Sequence, residues 1–549
     1  MNRVKMNQPR KVAIIGGVAG GMSAATRLRR LDASAEITVF ERSNYVSYAN
    51  CGLPYFLGGV IDERDNLLLQ TPESLHARFE LDVRVNHEIT GIDRINKIIV
   101  GKNLVTGEEF SHQYDSLILS PGASAIKPPI PGIEKALTLR TVEDVDRLVG
   151  QVSKHPKHVT VIGAGFIGVE TAENLRHRNI EVSLIEAAPQ VLAPLDIELG
   201  NLVAAEIRKH GVDLRLASAV TEIDDTSVTL KNGERIETEL VILAIGVKPE
   251  TSLATTAGIE IGPRGGIKVN EFQQTSDLSI YAIGDAAEKI DALDNSSTLI
   301  PLANIANRHG RVVADHICGH AVRPVDAIGS AIVKVFDLTV ATTGWNERKL
   351  TAAGKNLQAI HTHPGSHAGY YPGAESMHLK LIFDPMTQEI LGAQAVGKDG
   401  VDKRIDVIAT AIRAEMLVSE LADLELCYAP PFGSAKDPIN MLGYIADNII
   451  NGGSKTVQWH QVSELQQAGY KVIDVRTVAE FENGHIPDAI NIPVDELRAR
   501  ISEIPKTDLI INCQVGQRGH TATMLLNELG FDAANLDGGY VTWSDALQS

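Results

Sequence analysis

The chain has 549 residues, 44% of them hydrophobic and 22% charged, with a formal net charge of -18 at pH 7. That length exceeds what one hydrophobic core supports and implies three or four domains, while the acidity disfavours nucleic acid and anionic membrane surfaces as partners. The four cysteines, Cys51, Cys318, Cys427 and Cys513, stand far apart with no CxxC spacing, which argues against a disulfide framework or a zinc site and fits a reducing cytoplasm. Residues 1–11 lack the apolar stretch of a secretion signal, and no run of about 18 apolar residues occurs, so the expectation is a cytoplasmic protein.

Lys11–Ile15 reads as a short apolar strand running into Gly16-Gly17-Val18-Ala19-Gly20-Gly21, followed by a helix over about 22–31. A second strand, Glu36–Phe40, ends at Glu41. This is the layout of a dinucleotide-binding βαβ unit: glycines permit the tight turn, a helix N-terminus faces a pyrophosphate, and the acid meets ribose hydroxyls. Val18 stands where the second glycine of GxGxxG belongs, with Gly20 and Gly21 available for close backbone approach. Next comes Tyr45-Val46-Ser47-Tyr48-Ala49-Asn50-Cys51-Gly52-Leu53-Pro54-Tyr55. A thiol among polar and aromatic groups, just past a nucleotide turn, points to a sulfur nucleophile working against a cofactor.

A second fingerprint then removes the ambiguity of the first. His158–Ile162 is a strand, Gly163-Ala164-Gly165-Phe166-Ile167-Gly168 is a complete GxGxxG, 170–178 continues as helix, and the strand over 182–185 ends at Glu186. Two such units imply two nucleotides, a flavin and a nicotinamide. Ala187-Ala188-Pro189-Gln190 offers no Arg or Lys for a 2′-phosphate, which favours NADH. Three further apolar strands end in glycine turns, at Ser120-Pro121-Gly122, Ile245-Gly246 and Ile283-Gly284-Asp285, the way an α/β sheet presents a ligand at its strand ends.

These segments resemble the two-dinucleotide flavoprotein disulfide reductases, in which the nicotinamide domain is inserted within the flavin domain. The resemblance implies FAD on Gly16, Gly17, Gly20, Gly21, Glu41, Arg42, Gly122, Gly284 and Asp285, and NADH on Gly163, Gly165, Gly168, Glu186 and Gly246. It also implies an α/β dimerisation domain, hence a homodimer in which residues of one subunit complete the other's site. Cys51 has no second cysteine nearby, so electrons must pass through a single sulfur held as a mixed disulfide, persulfide or sulfenic acid.

The stretch from Ser47 to Pro54 is similar to coenzyme A-disulfide reductases and NADH-dependent persulfide reductases, and more loosely to NADH oxidases and peroxidases. The peroxidase branch carries a histidine where this chain has Ala19. The same resemblance puts Ser23, Arg27, Arg30, Ser47, Asn50 and Lys436 at coenzyme A positions, with Phe79 where the family has a lysine. Arg27 and Arg30, at i and i+3 on one helix, are expected on a common face. Tyr428 and one of Tyr370 and Tyr371 resemble the residues that hydrogen-bond the leaving sulfur.

After a polar linker, Asn451-Gly452-Gly453-Ser454-Lys455, which reaches about 17 Å when extended, the chain resembles a rhodanese. Its loop from Cys513 to Arg518, with four residues between, is shorter than the phosphate loop of dual-specificity phosphatases. It can aim backbone N–H groups at a bound anion and hold a persulfide.

The fold expected is α/β throughout: two Rossmann-like dinucleotide-binding domains (FAD, 9–150 and 248–326; NAD, 151–247), an α/β dimerisation domain (327–450) and a C-terminal rhodanese α/β domain (456–549). The activity implied is FAD-dependent, NADH-driven reduction of coenzyme A persulfide, polysulfide or coenzyme A disulfide. The alternatives are an NADH oxidase acting through a Cys51 sulfenate, and a slow redox sensor or sulfur carrier.

Overall fold

The strand Lys11–Ile15 buries every residue after its first, because elements cover both of its faces, as a parallel sheet requires. In the computed structural model, which describes residues 9–324 and 326–547, this strand sits at the centre of a five-stranded sheet. The order is Ile280–Ala282, Ser116–Leu119, Lys11–Ile15, Glu36–Phe40, Asp82–Arg84, every neighbouring pair parallel. The chain moves outward one way from Lys11–Ile15 through Glu36–Phe40, then returns on its other side with Ser116–Leu119. That reversal opens a crevice at the carboxyl ends of the two central strands, where α/β sheets bind ligands. Helices Ala19–Leu31 and Ala303–Ile317 pack over one face, so close that a Cβ on Gly310 would stand 2.5 Å from the Gly20 carbonyl oxygen. An antiparallel sheet of His87–Asp93, Ile98–Asn103 and Glu109–Gln113 contributes Ile89 and Ile99 to the core on the other.

A short antiparallel ribbon, Ala123–Ala125 against Val247–Pro249, marks where the chain leaves and re-enters this layer. Between its two strands a second parallel sheet forms, in which Glu181–Ile185, His158–Ile162, Leu240–Leu243 and Leu137–Thr138 lie side by side. Leu137–Thr138 belongs to this second sheet, and residue 151 lies inside the helix Val142–Val152. The inserted layer thus begins ahead of the boundary expected at 151, because the strand is too short to carry a recognisable pattern.

The chain divides into two compact units, Met1–Ala187 with Ser218–Gly329, and Ala188–Ala217 with Ser330–Ser549. The second unit contains a five-stranded antiparallel sheet in the order Ala331–Val335, Leu338–Gly344, Ile390–Gly397, Met377–Phe383, Gln358–Thr362. It is followed by a small parallel sheet in the order Thr456–Val457, Ala533–Leu536, Leu509–Asn512, Lys471–Asp474, Ile490–Asn491. The junction over 451–455 is not a slack tether. Ser454 is buried, its N–H donates to Asn448 O at 2.9 Å, and its hydroxyl lies 3.2 Å from His520 Nδ1. The C-terminal domain docks on the antiparallel sheet through contacts that the composition of the linker does not reveal: Gln458 donates to Ala359 O at 3.1 Å, and the His361 N–H donates to both carboxylate oxygens of Asp537. No helix among the described residues is long and apolar enough to cross a membrane.

Candidate active site

Both glycine turns have the same internal geometry. Gly16 and Gly163 adopt φ of +100° and +102°, open only to glycine without strain. A Cβ on Gly21 would stand 1.9 Å from Gly16 O, and one on Gly168 would stand 1.8 Å from Gly163 O, so each third glycine lets helix and strand touch. The Gly17 N–H donates to Glu41 at 2.8 Å and the Ala164 N–H to Glu186 at 2.8 Å, so each strand-end acid is aimed by its own turn. Val18 occupies the position equivalent to Gly165, where a Cβ would meet nothing within 4 Å. That space, left open beside a helix N-terminus, fits the approach of a pyrophosphate.

Glu41 is buried, and burial pushes its carboxyl up even though N–H groups of Ser43 and Gly17 stabilise the charge. Arg42 beside it is exposed. Gly122 and Gly284 are left-handed, at φ +76° and +71°, and Asp285 at the same sheet end is paired to Arg140 at 2.8 Å. Lys289, buried, donates to Gly284 O at 2.6 Å and Ala287 O at 3.0 Å. Burial brings its ammonium down to about 8, against the pull of Asp285. Gly246 takes φ +112° at the end of Leu240–Leu243. The residues named for the two nucleotides therefore gather at the strand ends of their respective sheets, and they fit a dinucleotide at each.

Cys51 lies on the single turn Asn50–Gly52, ahead of the helix Leu53–Gly58, which Pro54 starts. The Ser47 N–H donates to Gly17 O at 2.8 Å, fastening this segment to the first glycine turn, and Ser47 itself is left-handed at φ 48°. The helix Leu53–Gly58 packs on Phe166–His177, the helix that follows the second glycine turn. Gly58 allows this, since a Cβ there would stand 2.1 Å from Asn174 Oδ1. Across the seam the Tyr55 hydroxyl donates to Glu170 Oε1 at 3.2 Å. Burial raises Glu170 to about 7, with the Tyr55 bond opposing and Glu173 adding to the rise. Cys51 is exposed, yet the protein packed beneath it, then Glu170 and Asp285, push its thiol above the usual value. Glu170, Tyr55, Arg140 and Lys289 carry no motif that marks them in the sequence. An acid within the helix after GxGxxG is the available signal for Glu170.

The residues expected to meet coenzyme A are each engaged within the chain or exposed. Arg27 turns to Asp315 on Ala303–Ile317, 2.7 Å away, while Arg30 lies over the ring of Phe79 at 5.2 Å. Phe79 thus holds a neighbouring guanidinium. The Ser23 hydroxyl donates to Asn307 at 2.8 Å, and Asn50 is exposed. In the second unit Lys436 is exposed, and Tyr370 and Tyr428 share a hydrogen bond of 2.8 Å between hydroxyls. Tyr371 packs edge-on against His367. The structure thus brings Tyr370, rather than Tyr371, together with Tyr428.

Cys513 ends the strand Leu509–Asn512 and is buried. The turn that follows passes through Gly516 at φ 89° into the helix Gln517–Glu528. Among the described residues, the N–H groups of Gln514, Val515, Gly516 and Gln517 have no acceptor in the protein. Beneath the loop, Arg476 and Asp474 are buried partners at 2.8 Å. Arg476 also donates to Gln514 Oε1 at 3.1 Å and lies over the Tyr540 ring at 4.1 Å. Arg518 at the loop's far end is gripped by Glu480.

Family models match in three places: pyridine nucleotide-disulphide oxidoreductase over residues 10–310, the dimerisation domain of that family over 330–437, and a rhodanese-like domain over 459–546. The structure of reduced Bacillus anthracis CoADR-RHD superposes with a TM-score of 0.97 at 50% identity, covering 98% of each chain. A NAD-dependent persulfide reductase from A. fulgidus superposes with a TM-score of 0.91 at 36% identity, covering 97% of this chain and 100% of that one. The coenzyme A disulfide reductase of Staphylococcus haemolyticus (strain JCSC1435) is 36% identical over 442 residues, which is 80% of this chain and 100% of the relative.

Proposed function

The chain belongs to the pyridine nucleotide-disulphide oxidoreductase family, and we propose that it reduces the S–S bond of coenzyme A persulfide, polysulfide or coenzyme A disulfide at Cys51, using FAD and NADH, while its rhodanese domain handles sulfane sulfur at Cys513. The observation that carries this reading is the seam between Leu53–Gly58 and Phe166–His177, bridged by Tyr55 and Glu170. It supports a thiol standing where the flavin turn and the nicotinamide turn meet, the arrangement that electron passage between them and a substrate sulfur needs.

When bound, FAD supplies the two-electron relay between nicotinamide and sulfur. The chain's residues do the rest. Gly16, Gly17, Gly20 and Gly21 let the backbone approach the flavin nucleotide, with Glu41, Arg42, Gly122, Gly284 and Asp285 at the same sheet end. Gly163, Gly165, Gly168, Glu186 and Gly246 form the nicotinamide counterpart. Glu186, with no cation in the residues that follow, supports NADH over NADPH. Cys51 sulfur attacks the substrate S–S bond, a Cys51–S–S–R bond forms and the other sulfur leaves as thiol or sulfide; the two electrons drawn from NADH then break the Cys51–S–S–R bond, and the second thiol leaves. For a persulfide the balance is RSSH + NADH → RSH + HS⁻ + NAD⁺.

Ser23, Arg27, Arg30, Ser47, Asn50 and Lys436 are proposed to receive coenzyme A. In a homodimer, Tyr370 and Tyr428 of one subunit are proposed to donate to the sulfur leaving the other subunit's Cys51. The 2.8 Å bond between their hydroxyls supports a relay in which one hydroxyl donates to the other, and the second keeps its own proton for the sulfur.

The test is a side-by-side measurement of NADH oxidation with coenzyme A persulfide, with coenzyme A disulfide, and with oxygen alone. A kcat/KM for either sulfur substrate at least ~100-fold above the oxygen reaction is expected. Water or peroxide formation at an equal rate without sulfur would instead establish an oxidase working through a Cys51 sulfenate.

A further inference from the structure

The loop that presents Cys513 is served by two arginines, and both are already committed to carboxylates. Arg476 is closed on Asp474, Nε 3.0 Å from each carboxylate oxygen and Nη2 2.8 Å from Oδ2. Arg518 meets Glu480 with both terminal nitrogens, at 2.9 Å and 2.6 Å, the forked geometry that makes guanidinium–carboxylate pairs strong. Glu480 is itself held in place: it is the third residue of Val478–Glu482, and its Oε2 accepts the Thr477 N–H and hydroxyl, each at 2.9 Å. The Arg518 bond is the main influence that holds its carboxyl down, to about 2, so the pair is ionised at any working pH. Arg518 is near enough to Cys513 for the two charges to interact. The four side-chain charges around the loop, Asp474, Arg476, Glu480 and Arg518, cancel. What remains for a bound anion is the set of unused N–H groups from Gln514 to Gln517.

We infer that Glu480 is a specificity-determining residue of the sulfur-transfer site: by neutralising Arg518 it selects sulfane donors of one negative charge or none, small organic persulfides and thiosulfonates, over dianionic thiosulfate. A ring of N–H dipoles stabilises one charge. A second charge, brought next to the Glu480 carboxylate without a net cation to offset it, is repelled. This inference rests on the functional reading above and deepens it. The step concerned is attack of the Cys513 thiolate on the donor's outer sulfur. A Cys513–S–S⁻ bond forms, the donor S–S bond breaks, and sulfite (from thiosulfate), sulfinate (from a thiosulfonate) or thiolate (from a persulfide) leaves with the bonding pair. Cyanide then takes the outer sulfur as thiocyanate and the thiolate returns.

Two donors of nearly the same shape separate charge from fit: thiosulfate carries two negative charges and methanethiosulfonate one. Thiocyanate formation by the full-length protein is measured with each, and the ratio of the two kcat/KM values is compared among wild type, Glu480→Gln and Arg518→Gln. Glutamine suits the same capping position as glutamate, so Glu480→Gln keeps the acceptor for the Thr477 N–H. The thiosulfate-to-methanethiosulfonate ratio is expected to rise about tenfold in Glu480→Gln and to fall about tenfold in Arg518→Gln. A ratio within twofold of wild type in a folded Glu480→Gln protein overturns the inference and leaves the functional reading standing. Should Glu480→Gln not fold, the Arg518→Gln ratio decides alone, a fall supporting the inference and no change overturning it. If wild type forms no Cys513 persulfide with either donor, the sulfur-transfer reading itself falls, and this inference with it.

Discussion

His361 Nδ1 lies 2.6 Å from Asp537 Oδ2, a bond between side chains 176 positions apart in sequence that joins the antiparallel sheet to the C-terminal domain. The other ring nitrogen is 3.0 Å from Glu198 Oε1. Glu198 in turn pairs with Lys380, whose ammonium also lies 2.9 Å from Asp196 and 2.7 Å from Glu347. His361, Lys380, Asp537 and Glu198 are all buried. Burial works against each charge, so the assembly persists only because every member has an opposite partner.

Docking of the C-terminal domain should therefore depend on pH in a definite direction. Burial opposes charge on His361, but its bonds to Asp537 and Glu198 outweigh that and raise the imidazole from 6.5 to about 9. A raised cation stabilises fully below its unfolded value, so this contribution is complete below pH 6.5 and is lost as pH climbs through about 9. Glu198 is also buried, yet Lys380 and His361 hold its carboxyl well below the usual range. Its contribution is present above about pH 4.5 and lost as pH falls. Protease cleavage within 451–455 should be slowest between about pH 5 and 6.5 and accelerate toward pH 9. Asp537→Asn, which leaves His361 short of one buried partner, should cost about 3 kcal/mol in denaturant unfolding and flatten the alkaline limb. An unchanged profile in that variant would remove His361 from the docking account.

Cys51→Ser should retain FAD, since Cys51 lies outside both glycine turns, and should lower turnover on coenzyme A disulfide and persulfide by at least ~1,000-fold. The flavin spectrum reports the first outcome and NADH consumption the second. Activity within tenfold of wild type would show that another group attacks the substrate sulfur.

Tyr55→Phe removes the one bond that opposes the burial-driven rise of Glu170, which stands at about 7. The acid should therefore ionise at higher pH, and the limb of the pH–rate profile that follows it should move upward. Rapid-mixing measurement of flavin reduction by NADH across pH 5 to 9 is the check. A profile superimposable on wild type would mean that Glu170 is silent in that half-reaction.

Cys513→Ser should abolish thiocyanate formation while leaving reduction of coenzyme A disulfide within about twofold of wild type, because Cys513 stands in a loop of its own domain. Loss of both activities in a folded variant would require Cys513 to serve the reductive site directly.

Features carried by contiguous residues are legible in the amino-acid sequence itself. The two glycine turns, the acids Glu41 and Glu186 at their strand ends, and the loop from Cys513 to Arg518 each need only local backbone geometry. The pairings that tune these sites join distant positions between elements whose packing the sequence does not state. Tyr55 meets Glu170 across 115 positions, Tyr370 meets Tyr428 across 58, and Arg518 meets Glu480 across 38. The linker misleads for a related reason. Asn451-Gly452-Gly453-Ser454-Lys455 has the composition of a flexible segment, and nothing within it reveals that Ser454 is pinned or that His361 receives Asp537. Arg27 is expected beside Arg30 on one face; Asp315, supplied by a remote helix, takes the Arg27 guanidinium instead.

The C-terminal helix Gly539–Leu547 makes this rhodanese domain a poor cassette. Asn201 donates to the carbonyls of Asp545 and Ala546, at 3.2 Å and 3.0 Å; His363 contacts Thr542 at 2.8 Å; and His378 lies 3.5 Å from Asp545. Transplanting a different sulfurtransferase onto residue 455, or excising this one, strips partners from Asn201, His361, His363 and His378 at a stroke. Grafting experiments on this scaffold need those four positions redesigned together with the incoming domain, and random shuffling at the junction alone should yield aggregates rather than new donor specificities.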